Sequence, residues 1–168
     1  MSRVWLDAAA RDAIALEAAA RRLRETGGGL FGYEAGDDLV IHHALPPGPR
    51  AQHRRTRFIP NSEDTQDDID RIFESSLGAL SYLGEWHSHP RGSSKPSRVD
   101  QQGAARVAGG PETDVASPVV LIQATKPFRV HVGIGQLAAY RWAPEEGRLK
   151  LCDLVVLQLN EQSEPGPS

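Results

Sequence analysis

The chain has 168 residues with 19 basic and 22 acidic side chains, and its net charge of −3 gives no general reason to expect nucleic-acid binding. Its single cysteine, Cys152, has no internal disulfide partner, so we predict a small core residue in a reducing compartment. No apolar run approaches the roughly 20 residues of a membrane span, and we therefore expect a cytoplasmic protein without membrane contact.

The first 44 residues predict a helix followed by a hairpin. Residues 7–24 are rich in Ala and Leu, with Arg and Glu at helical spacing. Residues 27–29 are glycines without the Lys-Ser/Thr that completes a phosphate-binding loop, so they predict a tight turn into a strand at 30–33. Two aspartates predict a second turn before a strand at 39–44.

Residues 46–57 contain three prolines and a basic string: Arg50, His53, Arg54, Arg55 and Arg57. Two interpretations remain open, a solvated loop or a basic rim that steers an acidic patch of a protein substrate. A helix is predicted from Ser62 to about Ser76. The helical spacing of its apolar residues predicts that they are core residues: Ile69, Ile72, Phe73 and Leu77.

Residues 81–89 predict a strand that stops at Pro90. The strand ends in His-Ser-His, and side chains two positions apart point to the same face of a strand. His87 and His89 can therefore reach one metal ion.

A loop rich in Gly, Ser and Pro follows, and Ser97 then occupies the N-cap position of a predicted helix. Asp100 falls in the first turn, where the helix dipole favours an ionised carboxylate. Two imidazoles and one carboxylate are a ligand set that a catalytic zinc uses, with the fourth position left for water. The alternative is a strand with two ordinary histidines before a common helix cap; the defined interval between the two motifs favours the metal site.

The rest of the chain predicts strands at 118–124, 129–134, 137–142 and 149–159. His131 is predicted to be an ordinary sheet histidine rather than a ligand. Residues 160–168 are polar and are expected to form a disordered tail. The expected fold is a single mixed α/β domain over residues 1–159, with a curved, mostly antiparallel sheet flanked by helices.

The segment His87-Ser88-His89-Pro90, with Ser97-x-x-Asp100 following His89 after seven intervening residues, resembles the signature of the JAMM metallopeptidases, also called MPN-plus or JAB-domain proteases. The upstream segment that begins at Glu25, Glu-Thr-Gly-Gly-Gly-Leu-Phe-Gly, is similar to the family's E-x-G-G-x-L-x-G. Within the family, Gly-Glu-Trp-His-Ser-His-Pro looks most like bacterial deconjugating, deubiquitinase-like peptidases of antiphage operons. The resemblance implies a fold related to cytidine deaminases, but one cysteine cannot supply the deaminase zinc signature.

The resemblance implies a role for each matching residue. His87, His89 and Asp100 would bind one Zn²⁺ per chain, Glu25 would be the general base, and Ser97 would donate a hydrogen bond to the oxyanion. Glu85 competes with Glu25, because alternation puts it on the strand face of the two histidines. We interpret it as a group that orients the imidazoles or supports the structure.

Three functions are weighed. The leading one is an isopeptidase that hydrolyses the bond between the C-terminus of a ubiquitin-like protein and its target, in a pathway with ubiquitin-activating-like and ubiquitin-transferring-like enzymes. A processing peptidase that trims the C-terminus of a sulfur-carrier or ubiquitin-like precursor is the first alternative. A non-catalytic MPN-type scaffold is the second, and the joint presence of both histidines, both acids and the serine disfavours it.

Overall fold

The computed structural model describes residues 2–125 and 136–158. Three helices and nine strands occupy these residues. The helices are α1 (Ala8–Ala20), α2 (Ser62–Ser75) and α3 (Arg98–Gly109). The strands are β1 (Arg3–Asp7), β2 (Gly27–Ala35), β3 (Asp38–Ala44), β4 (Gln52–His53), β5 (Phe58–Ile59), β6 (Ser81–His89), β7 (Val119–Ala124), β8 (Leu137–Ala143) and β9 (Arg148–Leu157).

Seven of these strands form one sheet in the order β1-β3-β2-β6-β7-β8-β9, and a parallel pairing of β1 with β9 closes it into a barrel. Of its seven strand pairs, β2–β3, β2–β6, β7–β8 and β8–β9 are antiparallel. The expected mixed α/β fold with a mostly antiparallel sheet is therefore confirmed. Closure of the barrel was not foreseen.

Helix α1 contributes to the main core of the barrel. Its Ala10 and Ile14 belong to one buried cluster with side chains of β1, β3, β6 and β7, among them Leu6, Ile41 and Trp86. A second cluster joins Ala104 of α3 to residues of β7, β8 and β9. Helix α3, which carries Asp100, is thus fixed against the opposite face of the sheet from α1.

A bulge at Gly84 decides which side chains of β6 face α3. Gly84 has φ +150°, and a Cβ there would collide with the backbone of Val119 on β7, so only glycine fits. The register with β2 shifts at this point. Leu83 and Trp86 both enter the main core as a result, while His87 remains on the other face with Glu85.

Several predicted elements need correction. Strand β1 was missed: no element was predicted for residues 3–6, and Asp7, the last residue of the strand, was assigned to the helix, which ends at Ala20 rather than near residue 24. Residues 27–29 lie inside β2 and do not form a turn. The 46–57 loop contains β4, which pairs with β5 in a small hairpin.

The core prediction for α2 is wrong in part. Phe73 is 54% exposed and Leu77 is 95% exposed, while Ile69 and Ile72 are half-buried. The buried residue of this helix is Asp64, which accepts hydrogen bonds from the backbone and side chain of Arg50. Of the four predicted core residues, Phe73 near the end of α2 and Leu77 just beyond it therefore face outward.

Other elements agree with expectation. Strand β6 has the predicted bounds, and β3, β7, β8 and β9 lie where strands were predicted. Cys152 is buried against the main core. The strand predicted at 129–134, His131 and the tail at 160–168 lie outside the described residues. No helix of the described segments is long and apolar enough to cross a bilayer.

Candidate metal centre

His87, His89 and Asp100 come together although a loop separates the strand from the helix. Their ligand atoms all lie within 4.8 Å of one another. His87 Nε2 is 3.1 Å from Asp100 Oδ1, and His89 Nε2 is 3.4 Å from Asp100 Oδ2. One carboxylate thus faces two ring nitrogens, as in a three-ligand metal site.

The nitrogen of His87 in this group has no other use. Nε2 is buried and, although it lies close to Asp100 Oδ1, it has no hydrogen-bond partner in the described part of the chain. A buried polar nitrogen without a partner is costly unless something binds it. The donor set therefore fits a metal ion better than a simple ion pair.

A hydrogen bond orients His89. Its Nδ1 donates to the backbone oxygen of Ser93 at 2.8 Å. This bond holds the proton on Nδ1 and leaves the Nε2 lone pair directed at the site, which is the arrangement that metal-binding imidazoles adopt.

Asp100 is held in its ionised form. Burial alone would raise its pKa, but contacts with both imidazoles and the backbone N–H of Ser97 lower it well below the usual range. The Ser97 N–H donates to Asp100 Oδ2 at 2.5 Å, and the Asp100 N–H donates to Ser97 Oγ at 3.3 Å. This capping box makes the start of α3 the frame that aims the carboxylate.

The helix cap uses the Ser97 hydroxyl only as a hydrogen-bond acceptor. Its Oγ accepts from the Asp100 N–H, so the hydroxyl hydrogen remains available as a donor. Ser97 lines the same cavity as His87 and Asp100. A substrate oxygen in that cavity could accept this hydrogen bond.

Sheet register explains how Glu25 reaches the site from far upstream. Gly27 on β2 pairs with His87 on β6, and the Ser88 N–H donates to Thr26 O at 2.8 Å. The next residue back, Glu25, therefore lies opposite His89. Burial raises the pKa of the Glu25 carboxyl, although the nearby imidazoles of His89 and His87 lower it in part.

Glu85 occupies different surroundings. It shares the strand face of His87, but its carboxylate packs toward α3, where a Cβ at Gly103 would lie 3.7 Å from Oε1. Burial raises the pKa of Glu85. The nearby His87 imidazole lowers this pKa in part, and the charge of Asp100 raises it. Glu85 therefore lies under α3, whereas Glu25 lies opposite His89.

A cavity of about 410 Å³ adjoins the ligands, and His87 and Asp100 contribute to its lining. The cavity is walled by three parts of the chain: the segment around β5, helix α2 and helix α3. Residues of β2 and β6 also line it. Its lining includes apolar groups such as Phe58 and Val99 together with the polar residues of the site. The cavity has the dimensions and mixed lining of a ligand site.

Comparisons with known proteins agree with this geometry. Residues 7–141 match the family model described as prokaryotic homologs of the JAB domain. A probable metalloprotease of Sinorhizobium fredii is 30% identical over 138 residues, which is 80% of this chain and 84% of that relative.

Two further relatives are named CD-NTase/cGAS isopeptidases. The one from Escherichia coli is 38% identical over 76 residues, and the one from Vibrio cholerae is 35% identical over 77 residues. Each match covers under half of this chain, 45% and 46%, and 49% of the relative.

The solution structure of a Desulfitobacterium hafniense protein has the same fold, with a TM-score of 0.66, 19% identity and coverage of 94% of this chain and 95% of that one. Fold, motif and family match thus lead to one conclusion. The chain belongs to the prokaryotic homologues of the JAB domain, the family that its histidine and aspartate motif resembles.

Proposed function

We propose that this protein is a zinc-dependent isopeptidase that releases the C-terminus of a protein modifier from its target. The observation that carries the proposal is the convergence of His87, His89 and Asp100 on one point beside a cavity that His87 and Asp100 line. The relatives named metalloprotease and isopeptidase support the same reaction class.

The spacing of the donors supports zinc as the metal. Ligand atoms about 2.0–2.1 Å from a tetrahedral zinc lie roughly 3.3 Å apart. The two separations between imidazole nitrogen and carboxylate oxygen, 3.1 and 3.4 Å, match this value. A bound zinc would supply an activated water and polarise the scissile carbonyl.

The chain's own residues supply proton transfer and charge stabilisation. Glu25 takes a proton from the attacking water and delivers it to the leaving amine. Its partly buried position and raised pKa suit a carboxyl that must hold a proton in mid-reaction. The free hydroxyl hydrogen of Ser97 donates to the oxygen that gains negative charge.

The cavity suits an extended peptide tail. A tail that enters between the β5 segment and α3 could pair its backbone with the small β4–β5 sheet and present its last carbonyl to the metal ligands. The modifier would be a ubiquitin-like protein, or a CD-NTase/cGAS-type enzyme joined to a target in the same manner, as the names of the relatives suggest. We further propose a cytoplasmic, antiphage setting beside ubiquitin-activating-like and ubiquitin-transferring-like enzymes.

Two substrates separate isopeptidase from processing peptidase. A CD-NTase from the same genome would be joined through its C-terminus either to a lysine side chain of a reporter protein or, as a linear fusion, to the reporter's N-terminus. We expect the zinc-loaded protein to cleave the lysine-linked substrate faster, and the Glu25→Gln variant to leave it intact. Cleavage of the linear fusion alone would favour the processing peptidase. Failure on both substrates with zinc bound would favour the scaffold.

A further inference from the structure

Five arginines gather beside Glu25 from two separate parts of the chain. Two come from the segment after α1 and three from the β4–β5 hairpin. We call them the arginine patch: Arg22, Arg24, Arg54, Arg55 and Arg57. All five are exposed. The basic rim predicted from residues 46–57 therefore does not include Arg50, because the Arg50 guanidinium forms ion pairs with Glu63 and Asp64 on α2.

Hydrogen bonds to backbone oxygens hold the two halves of the patch together. The Glu25 N–H donates to Arg54 O at 2.8 Å, and Arg24 Nη1 donates to His53 O at 3.3 Å. The Arg54 N–H donates to Arg57 O at 2.9 Å and closes the hairpin. The patch is therefore attached to the backbone of the proposed catalytic base itself.

The charge of the patch is not neutralised within the described residues. None of its arginines has a carboxylate within ion-pair distance in segments 2–125 and 136–158, whereas Arg21 next to it pairs with Glu17. Arg71, Arg141 and Arg148 elsewhere on the surface are also paired. Like charges held together without counter-charges attract an acidic partner and raise its rate of encounter.

The position of the patch identifies the side of the reaction that it serves. On the proposed function, the cavity walled by α2, α3 and the β5 segment receives the tail that ends at the scissile carbonyl. Glu25 and Arg57 also line this cavity, so the patch adjoins it at the Glu25 side. Glu25 delivers a proton to the leaving amine, so the protein that carries this amine must lie on the Glu25 side. This is the side on which Arg24 and Arg54 flank Glu25 along the backbone.

We infer that the arginine patch binds an acidic surface of the target protein, next to the lysine that carries the modifier. The inference rests on the proposed function for the direction of the substrate. It makes the enzyme selective for the target as well as for the modifier, because an acidic target would be captured and a basic one repelled.

Linear fusions and a peptide test this surface. The CD-NTase would carry C-terminal extensions of equal length, one rich in Glu and one of Gly and Ser. The same Glu-rich segment, labelled with a fluorophore, would be titrated against the zinc-loaded protein by anisotropy. The test variant is Arg22→Glu with Arg55→Glu, one residue from each half of the patch; both side chains are exposed and make no hydrogen bond or ion pair in the described segments, and neither lines the cavity. The matched control is Arg148→Glu with Lys150→Glu at the start of β9, which changes the net charge equally.

We expect the native protein to cleave the Glu-rich fusion with about tenfold higher kcat/KM than the Gly/Ser fusion at low salt, and the advantage to disappear at high salt. The test variant should lose this advantage and the binding of the labelled peptide, while the control keeps both. Equal cleavage of the two fusions, or peptide binding that the test variant retains, would overturn the inference.

The binding assay separates this inference from the proposed function. If neither fusion is cleaved but the labelled peptide binds through the patch, the proposed isopeptidase reaction is contradicted. The inference that the patch binds an acidic partner is then retained. A single-stranded oligonucleotide serves as competitor. If it binds more tightly than the peptide, the partner of the patch is a nucleic acid and the inference of an acidic protein is overturned.

Discussion

At the scale of single residues, two carboxylates flank the metal ligands, and their surroundings separate their roles. Glu25 lines the cavity and lies opposite His89, and the charges of all three ligands influence its pKa. Glu85 packs against Gly103 under α3. A base must reach the water at the metal, and the position of Glu25 meets this requirement better.

We therefore expect Glu25→Gln to lower kcat by at least about 100-fold with no change in bound zinc, because the amide cannot transfer the proton. The measurement is turnover together with metal content by mass spectrometry. Glu85→Gln is the matched control, and its turnover should stay within about tenfold of the native value. Loss of activity in the Glu85 variant with full activity in the Glu25 variant would reverse the two assignments.

At the scale of elements, the cap of α3 joins stability to chemistry, because Ser97 both closes the helix and faces the cavity. We expect Ser97→Ala to lower the free energy of unfolding by about 1 kcal/mol through the lost cap. Turnover should fall by roughly 100-fold through the lost oxyanion donor. Urea denaturation and kinetics measure the two effects.

Ser97→Asp supplies the control for this prediction, since aspartate caps helices well but donates no hydrogen bond at neutral pH. It should retain stability and lose turnover. An Ala variant that keeps native turnover while losing stability would restrict Ser97 to its capping role.

Helix α2 shows where periodicity misleads. Its apolar residues have helical spacing, yet the helix packs through Asp64 and its half-buried isoleucines, while Phe73 and Leu77 face outward. A periodic apolar pattern reports that a helix has a distinct face, but not what covers it.

Leu77 tests this correction. Its φ of +54° is a left-handed conformation that a leucine adopts at a cost, and its side chain is 95% exposed. We expect Leu77→Asn to leave the free energy of unfolding unchanged or to raise it by up to about 1 kcal/mol, since Asn tolerates this conformation. Loss of 2 kcal/mol or more, roughly the cost of emptying a core site, would restore the core interpretation.

At the scale of the whole molecule, β1 closes the barrel by pairing with β3 on one side and β9 on the other. Its Leu6 is fully buried, whereas Leu16 on α1 is 75% exposed. We expect Leu6→Ala to lower the free energy of unfolding by about 2–5 kcal/mol and Leu16→Ala to change it by less than about 0.5 kcal/mol. Similar small effects of both substitutions in urea would contradict a closed barrel.

The sequence could predict the features that depend on local patterns. Residues two apart on β6 and a cap three residues before Asp100 are local, and the expected strand and helix start are present. Strand β1 was not predicted because its parallel pairing with β9 is a contact between distant parts of the chain, which a local pattern does not reveal. The arginine patch was not predicted because its halves are distant in the chain and meet through the hydrogen bonds that Glu25 and Arg24 make to the β4–β5 hairpin.

The central claim is that His87, His89 and Asp100 hold one catalytic zinc, and metal content tests it most directly. Protein purified without chelators would be analysed by mass spectrometry beside the Asp100→Ala variant, each before and after dialysis against a chelator. We predict about one zinc per native chain, little in the variant, and peptidase activity that is lost on chelation and returns with added zinc. Native protein that binds no zinc, or an Asp100→Ala variant that binds as much as the native chain, would contradict the account.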